Sequence, residues 1–325
     1  MMRKTNKLKI KKICAYALSL ALIFGTVSVN QEAFVYAEES VEEQTQTVYI
    51  STVDEFVVFA SQCYIDSWSK DKVIELTADL DFTGADIVMV PVFAGRFNGN
   101  GHTISGLDYV GEGYVTALFR YVEESGVIDN LKVEGSITAN DEQECVGGIV
   151  GSNYGTIKNC TFNGTVSGKK TIGGIAAFNK STGIIRKCYA IGNISGSYYT
   201  GGVTGINHGI ITNCKNLAGI NDDSEWVASE DEMNSDIISS ITGSDDRSSV
   251  RIGVDTGGIA GYSDGIIASC YNIGNVGYEH VGYNIGGIAG RQSGIVSMCN
   301  NSGIVSGRKD VGGIVGQMEP YIEVT

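Results

Sequence analysis

The segment GGIVGSNYGTIKNC, residues 147–160, decides the fold because the chain returns to its opening pattern five more times. Gly-Gly pairs followed by Ile or Val begin at Gly147, Gly173, Gly201, Gly257, Gly286 and Gly312. The intervals are 26, 28, 56, 29 and 26 residues, so the third contains an insertion about one repeat long. A repeat of this period predicts an array of stacked units rather than a single globular core.

Five of the units align on a cysteine. A glycine stands five residues before it, Ile or Val three residues before it, and Ile or Val six residues after it. We interpret each unit as three short strands, on the Gly-Gly-Ile stretch, through the Ile and Cys positions, and through the later Val or Ile. No unit shows a helical period, and each is shorter than a propeller blade. The sequence therefore predicts an all-β fold, a right-handed parallel β-helix.

The first residues resemble a targeting segment. Six basic residues among the first twelve precede an apolar run at 13–29 and the sequence Val35-Tyr36-Ala37. This pattern predicts a secretory signal peptide over residues 1–37, and the alternative is an uncleaved membrane anchor. No second apolar run of spanning length occurs, so no membrane span is expected in the mature chain. The expected location is secreted, either extracellular or associated with the cell surface.

The mature chain divides into three further parts. Residues 38–47 form an acidic linker, residues 48–115 the N-terminal cap and first coils, and residues 116–325 the repeat coils. Within the cap, residues 51–62 predict a short helix that begins with a capping residue and covers the open end of the coil. The insertion, at about 221–255, contains a capping-box pattern and predicts a helix on a projecting loop.

The charge of the mature chain excludes one class of partner. Removal of residues 1–37 leaves 17 basic against 36 acidic residues, a formal charge of −19. Phosphate contacts need clustered Lys and Arg, so no binding of nucleic acid is expected.

The repeats resemble a known family. GGIVGSNYGTIKNCTFNGTVSG at 147–168, GGIAGYSDGIIASCYNIGNV at 257–276 and GRFNGNGHTISGL at 95–107 are similar to GLUG-motif repeats. These repeats occur in bacterial secreted and surface proteins, including adhesin-like proteins and the N-terminal regions of IgA-specific metallopeptidases. The resemblance covers about residues 48–318 and implies a β-helical stalk or adhesive module. The chain has no HExxH zinc motif, so it departs from the peptidase members at that point.

Residue types that support catalysis are sparse. None of the three histidines, His102, His208 and His280, has a second histidine at zinc-ligand spacing, so structural roles are expected. Asp79 and Asp81 alternate on one strand and could share a cation, but Asp-Leu-Asp before a turn is more typical of turn chemistry. We predict no catalytic residue, no metal and no cofactor. The alternative is that the chain is the N-terminal β-helical fragment of a larger secreted hydrolase or peptidase.

The cysteines allow three interpretations: disulfides, a metal site, or a structural ladder of buried thiols. Strands in neighbouring coils lie about 4.8 Å apart, whereas disulfides prefer converging Cβ atoms about 3.8 Å apart. Leu131 occupies the cysteine position one coil earlier, and leucine can neither bridge nor ligate. The ladder is therefore favoured, although Ile and Cys three residues apart can both face inward only around a bulge or corner. Its members are Cys160, Cys188, Cys214, Cys270 and Cys299.

Exposed aromatic residues are the candidates for recognition, since they suit contact with an extracellular glycan or protein. Their alternative role is ordinary coil surface, which would leave the chain a spacer without a ligand. The sequence ends shortly after another coil begins near Val311, so a downstream domain or another chain is expected to cap that end. The candidate binding residues are Tyr189, Tyr198, Tyr199, Tyr271, Tyr278 and Trp226.

Overall fold

A computed structural model describes residues 46–111, 113–139, 145–222 and 253–319. These residues lie in one compact unit, Thr45–Thr325. Every strand pairing in them is parallel, and each pairing joins one coil to the next. The parallel β-helix predicted from the sequence is confirmed. The predicted signal peptide, most of the linker, Trp226 and residues 223–252 of the insertion lie outside the described residues.

Four parallel sheets run along the coil. Sheet I contains β7 (Val115–Thr116), β11 (Cys145–Gly147), β15 (Lys170–Gly173), β19 (Tyr198–Gly201), β24 (Val254–Gly257), β28 (Tyr283–Gly286) and β32 (Lys309–Gly312). Sheet II contains β4 (Val90–Phe93), β8 (Phe119–Val122), β12 (Val150–Asn153), β16 (Ala176–Asn179), β20 (Thr204–Asn207), β25 (Ala260–Ser263), β29 (Ala289–Gln292) and β33 (Val315–Met318).

The other two sheets complete each coil. Sheet III contains β1 (Gln46–Ile50), β2 (Lys72–Leu76), β5 (Arg96–Asn98), β9 (Val127–Asp129), β13 (Thr156–Lys158), β17 (Ile184–Arg186), β21 (Ile210–Thr212), β26 (Ile266–Ala268) and β30 (Ile295–Ser297). Sheet IV contains β3 (Leu80–Asp81), β6 (Thr103–Gly111), β10 (Lys132–Ala139), β14 (Thr161–Ser167), β18 (Tyr189–Ser195), β22 (Lys215–Asn216), β23 (Gly219–Ile220), β27 (Tyr271–Asn272) and β31 (Asn300–Asn301).

The interpretation of three strands per unit is wrong, because a regular coil has four. The Gly-Gly-Ile stretch is a corner: β11 ends at Gly147, and Gly148 and Ile149 bend the chain into β12. A Cβ on Gly148 would lie 2.2 Å from the carbonyl oxygen of Gly174 in the next coil. Glycine is therefore required because neighbouring coils make backbone contact at this corner.

A second corner places both the Ile and the Cys columns in the core. In each coil the residue before the cysteine column has a left-handed φ between 51° and 55°. In one coil the side chain of Ile157 faces the core, the chain turns at Asn159, and the side chain of Cys160 faces the core again. Side chains that are three residues apart can therefore share one interior, which a straight strand does not allow. The corner residues are Asn130, Asn159, Lys187, Asn213, Ser269 and Met298.

Buried asparagines connect successive coils at the corner between sheets II and III. Asn153 Nδ2 donates to Asn179 Oδ1 at 2.8 Å, and Asn179 Nδ2 donates to Asn207 Oδ1 at 2.8 Å. Asn207 Nδ2 then donates to Ser263 Oγ at 3.0 Å. These side chains are inaccessible to solvent, so the ladder pairs polar groups that would be costly to bury alone; Asn153 Oδ1, at the first member, has no hydrogen-bond partner among the described residues.

The helix predicted at the N-terminal end is also confirmed. Helix α1 spans Val53–Gln62, and Thr52 caps it by accepting a hydrogen bond from the Glu55 backbone N–H at 3.2 Å. The Glu55 carboxylate completes the capping box by accepting from the Thr52 N–H. Phe56 and Phe59 are buried and pack edge-on against Phe82 and Phe93 of the first coils. The helix thus buries aromatic surface at the first coils.

Candidate functional site

Two of the predicted tyrosines lie in one outward-facing column of sheet IV. Tyr189 in β18 pairs with Lys215 in β22, and Lys215 pairs with Tyr271 in β27. Lys215 Nζ lies 5.9 Å from the centroid of each tyrosine ring, within the distance at which a ring attracts a cation. Tyr189 is 38% exposed and Tyr271 is 47% exposed. We call these three residues the tyrosine–lysine face.

A shallow groove of about 390 Å³ runs along this face. One side of it is the outward column of sheet IV, and the other is formed by the corner residues that precede the cysteines. Four of the eight lining residues are corner residues, because the left-handed backbone at a corner turns the side chain away from the core. The lining residues are Asn159, Thr161, Lys187, Tyr189, Asn213, Lys215, Ser269 and Tyr271.

Lys215 and the corner residues of the groove were not among the binding residues predicted from the sequence. The signal was present, because the outward column is the position directly after each cysteine of the aligned units. Across five units that position contains Thr161, Tyr189, Lys215, Tyr271 and Asn300. Reading this column across the units, rather than selecting aromatic residues one by one, would have placed Lys215 between the two tyrosines.

The remaining candidate tyrosines do not join this face. Tyr198 and Tyr199 lie in β19 of sheet I, and Tyr199 has a left-handed φ of 50°. Tyr278 lies in the segment between β27 and β28 and is half-buried. The predicted binding residues therefore occupy at least two separate surfaces, and only Tyr189 and Tyr271 share a groove.

The columnar cysteines lie between sheets III and IV. Each thiol donates to the carbonyl oxygen two residues earlier, at distances from 3.1 to 3.4 Å. All seven cysteines of the described residues are free thiols. Burial raises the pKa of Cys188 well above the usual thiol value, and the hydrogen bond with Cys214 raises the pKa of Cys270 to about 12. Groups with such pKa values stay protonated near neutral pH and behave as small apolar residues.

We expect the reactivity of the column to follow burial. Cys188 and Cys214 are inaccessible to solvent, whereas Cys299 in the last cysteine-bearing coil is partly exposed. Alkylation of the native protein with iodoacetamide at pH 8 should therefore label Cys299 first and leave Cys188 and Cys214 unmodified until the coil opens. Peptide mass spectrometry over a time course measures the order. Labelling of Cys188 as fast as Cys299 would contradict the buried ladder.

His102, His208 and the two predicted aspartates have local partners; of the aspartates, only Asp81 lies in a strand, β3, and Asp79 lies just before it. Asp79 Oδ1 accepts from the Thr103 N–H at 2.8 Å and lies 3.1 Å from His102 Nδ1; the bond from Thr103, then that from His102, lowers the Asp79 pKa. Asp81 accepts from the Thr83 N–H and hydroxyl, which is turn chemistry.

His208 Nδ1 lies 2.6 Å from Asp264 Oδ1, and its ring packs between Phe178 and Tyr262. His280 is exposed, with a left-handed φ of 66°. Across residues 46–111, 113–139, 145–222 and 253–319, no group of three or more His, Cys, Asp or Glu side chains could hold a metal ion. In the same described ranges no helix is long and apolar enough to cross a membrane.

One coil of the chain matches a known family profile. The profile described as the GLUG motif matches residues 142–167, which include β11 to β14. The chain therefore contains a GLUG motif. The matched segment is one full coil, so the GLUG motif here corresponds to one strand from each of the four sheets.

Two proteins resemble this chain. Halomucin of Haloquadratum walsbyi strain DSM 16790 / HBSQ001 is 45% identical over 85 residues, which are 26% of this chain. The chain spans only 1% of the length of halomucin. A crystal structure of a candidate immunoglobulin A1 protease from Bacteroides ovatus has a TM-score of 0.57 and 17% identity, with 85% of this chain and 84% of that chain covered. That likeness shows a shared fold.

Proposed function

We propose that this GLUG-repeat chain is a non-catalytic β-helical module of the cell surface or extracellular medium, which acts as an adhesin or stalk and binds glycan. The observation that carries the proposal is the tyrosine–lysine face, where Tyr189, Lys215 and Tyr271 pair in register along a groove. A sugar ring has apolar C–H faces and a polar rim of hydroxyl groups. Tyrosine rings with polar neighbours match both properties.

The architecture favours recognition by a rigid surface. Neighbouring strands of sheet IV lie about 4.8 Å apart, so the hydrogen-bonded register fixes the two tyrosines about 9.6 Å apart. Tyrosine has few rotatable bonds and loses little conformational entropy when it binds. A preorganised pair of rings therefore spends less of its interaction energy on ordering than a flexible loop would.

An extracellular location is supported by two features. The signal-peptide pattern of residues 1–37 is typical of chains that are secreted. The repeats of this chain are also similar to the GLUG-motif repeats of secreted and surface proteins. Free thiols are compatible with that location, because burial keeps four of the five columnar cysteines away from oxidants.

The proposal is tested by binding to an array of glycans and matrix proteins. The wild-type chain should bind a subset of the glycans, and Tyr271→Ala should weaken that binding about fivefold or more. Tyr64→Ala is the matched control, because Tyr64 is 69% exposed but lies outside the groove. If the wild-type chain bound none of the glycans, the proposal would be contradicted, and the chain would be interpreted as a spacer without a ligand. Equal losses for Tyr271→Ala and Tyr64→Ala would contradict this location of the site.

The second candidate function is the β-helical part of a larger secreted hydrolase or peptidase. The observation that favours it is the shared fold with the Bacteroides ovatus protein, whose name is that of a protease. The gene region that follows the codon for Thr325 tests it, since a zinc-binding HExxH motif encoded in frame would support a peptidase. A stop codon directly after Thr325 would contradict it.

A further inference from the structure

We infer that the groove along the tyrosine–lysine face takes an anionic glycan, one that bears carboxylate or sulfate groups; this inference rests on the proposed function. Two of the eight lining residues, Lys187 and Lys215, are cationic and exposed, and none of the eight is acidic. The whole sequence carries a formal charge of −14. A groove with only positive charges is therefore a local exception on an acidic protein.

Lys215 is placed to meet an anion beside a sugar ring. Its Nζ lies at the same distance, 5.9 Å, from the Tyr189 and Tyr271 rings, so the cation is held midway between two apolar surfaces. An ammonium group forms stronger hydrogen bonds to a charged oxygen than to a neutral hydroxyl. A carboxylate or sulfate on Lys215 would leave the flanking sugar carbons against the two rings.

The opposite side of the groove provides groups for neutral hydroxyls. Asn213 presents an amide, which both donates and accepts, and Ser269 and Thr161 present hydroxyl groups. The Asn159 amide also lines the groove, although its Nδ2 already donates one hydrogen bond, to Asp129 Oδ1 at 2.8 Å. Lys187 occupies the corner position between the two asparagines, one coil before Lys215 and directly before Cys188. Positive charges thus recur on two adjacent coils, which suits a polymer with repeated acidic groups.

A glycan fits this surface better than an acidic peptide in extended form. Peptides that add a strand to a sheet need an exposed edge with unpaired N–H and C=O groups. The groove lies on the face of sheet IV, where β18 pairs with β14 and β22, and β22 pairs with β27. A ligand in this groove must therefore be bound by side chains rather than by the backbone of sheet IV.

The overall negative charge does not cancel the local attraction at physiological salt. The Debye length is about 8 Å at 0.15 M ionic strength, so acidic residues beyond that distance are largely screened. Asp129 lies close to the groove, where its carboxylate accepts from Asn159 Nδ2 at 2.8 Å, but Lys158 Nζ pairs with that carboxylate at 2.8 Å. Binding of an anionic glycan should weaken as salt rises from 0.15 to 0.5 M, because added salt screens the attraction of Lys187 and Lys215.

The experiment uses two pairs of probes that share a backbone: dextran sulfate with dextran, and oligogalacturonate with its methyl ester. Isothermal titration calorimetry on the full chain at 0.15 M salt gives each affinity. At least one charged probe should bind about tenfold or more tightly than its neutral partner. The two pairs distinguish sulfate from carboxylate as the preferred group.

Two variants test the lysines, and circular dichroism confirms that each folds. Lys215→Met should reduce binding of the charged probe about tenfold, and binding of its neutral partner by much less. Lys187→Asn removes the second charge without strain, because asparagine already occupies this corner position at Asn159 and Asn213. Lys309→Met is the control, since Lys309 is exposed on sheet I, outside the groove.

The outcomes separate this inference from the proposed function. Equal affinity for charged and neutral probes, with loss in Tyr271→Ala but not in Lys215→Met, overturns the anionic specificity and leaves glycan binding intact. Equal losses in Lys215→Met and Lys309→Met show general charge attraction and overturn it as well. If none of the four probes binds, the inference fails, and the glycan array alone then decides the proposed function.

Discussion

Replacement of Gly258 by alanine is expected to lower the free energy of unfolding by about 3 kcal/mol, the upper part of the usual range for overpacking. Gly258 is the second glycine of its Gly-Gly pair. A Cβ there would lie 2.2 Å from the Gly287 carbonyl oxygen and 2.3 Å from Asn272 Cγ. The carbonyl belongs to the backbone of the next coil, so relief requires a shift of the coil-to-coil spacing.

Gly313 offers a matched control for Gly258 in the last repeat. It occupies the same position of the motif, but a Cβ on Gly313 would have no heavy atom of the described residues within 4 Å. Gly313→Ala should be neutral or slightly stabilising, because alanine restricts the unfolded chain. Urea unfolding followed by circular dichroism compares the two variants. A loss in Gly313→Ala as large as in Gly258→Ala would show that contact with the next coil is not the cause.

Removal of one member of the asparagine ladder should also cost about 3 kcal/mol, since each buried polar group left unsatisfied costs about 1–3 kcal/mol. Asn179 accepts from Asn153 and donates to Asn207 Oδ1 and, at 3.2 Å, to the Gly183 carbonyl oxygen. Asn179→Ala would leave these buried groups without their partner. Repacking can recover only part of that cost.

The matched control for the ladder is Asn163→Ala. Asn163 is exposed on the outer side of β14, and an exposed substitution of this kind should change the free energy of unfolding by less than about 0.5 kcal/mol. Hydrogen exchange should also show faster opening of β12, β16 and β20 in Asn179→Ala, because the ladder connects these three strands. Equal stability of Asn179→Ala and Asn163→Ala would contradict a role of the ladder in holding coils together.

The repeat period and the regularly spaced Ile, Cys and Val positions were sufficient to predict the parallel β-helix, because each of these positions faces the core in successive coils. The number of strands could not be read in the same way. The bulge or corner expected between Ile157 and Cys160 is present at Asn159, which has a left-handed φ. The corner at Gly148 could not be predicted from its own unit, because the reason for it is contact with the backbone of the next coil. The pattern of residues within one unit does not show that contact.

The candidate site was predicted only in part. Tyr189 and Tyr271 were identified by residue type, but their grouping depends on pairing across coils through Lys215. Tyr198, of the same residue type, lies on another sheet. Residue type therefore indicated the chemistry, and register decided which residues share a surface.

The strand pairing around the insertion has a practical consequence. Gly173 pairs with Gly201, and Gly201 pairs with Gly257, in the same register, although residues 223–252 intervene only in the second case. The strand pairing of sheet I therefore keeps the same register on both sides of residues 223–252. This junction is a natural grafting position, where an epitope or an affinity tag could replace the native segment while the coils on both sides keep their pairing.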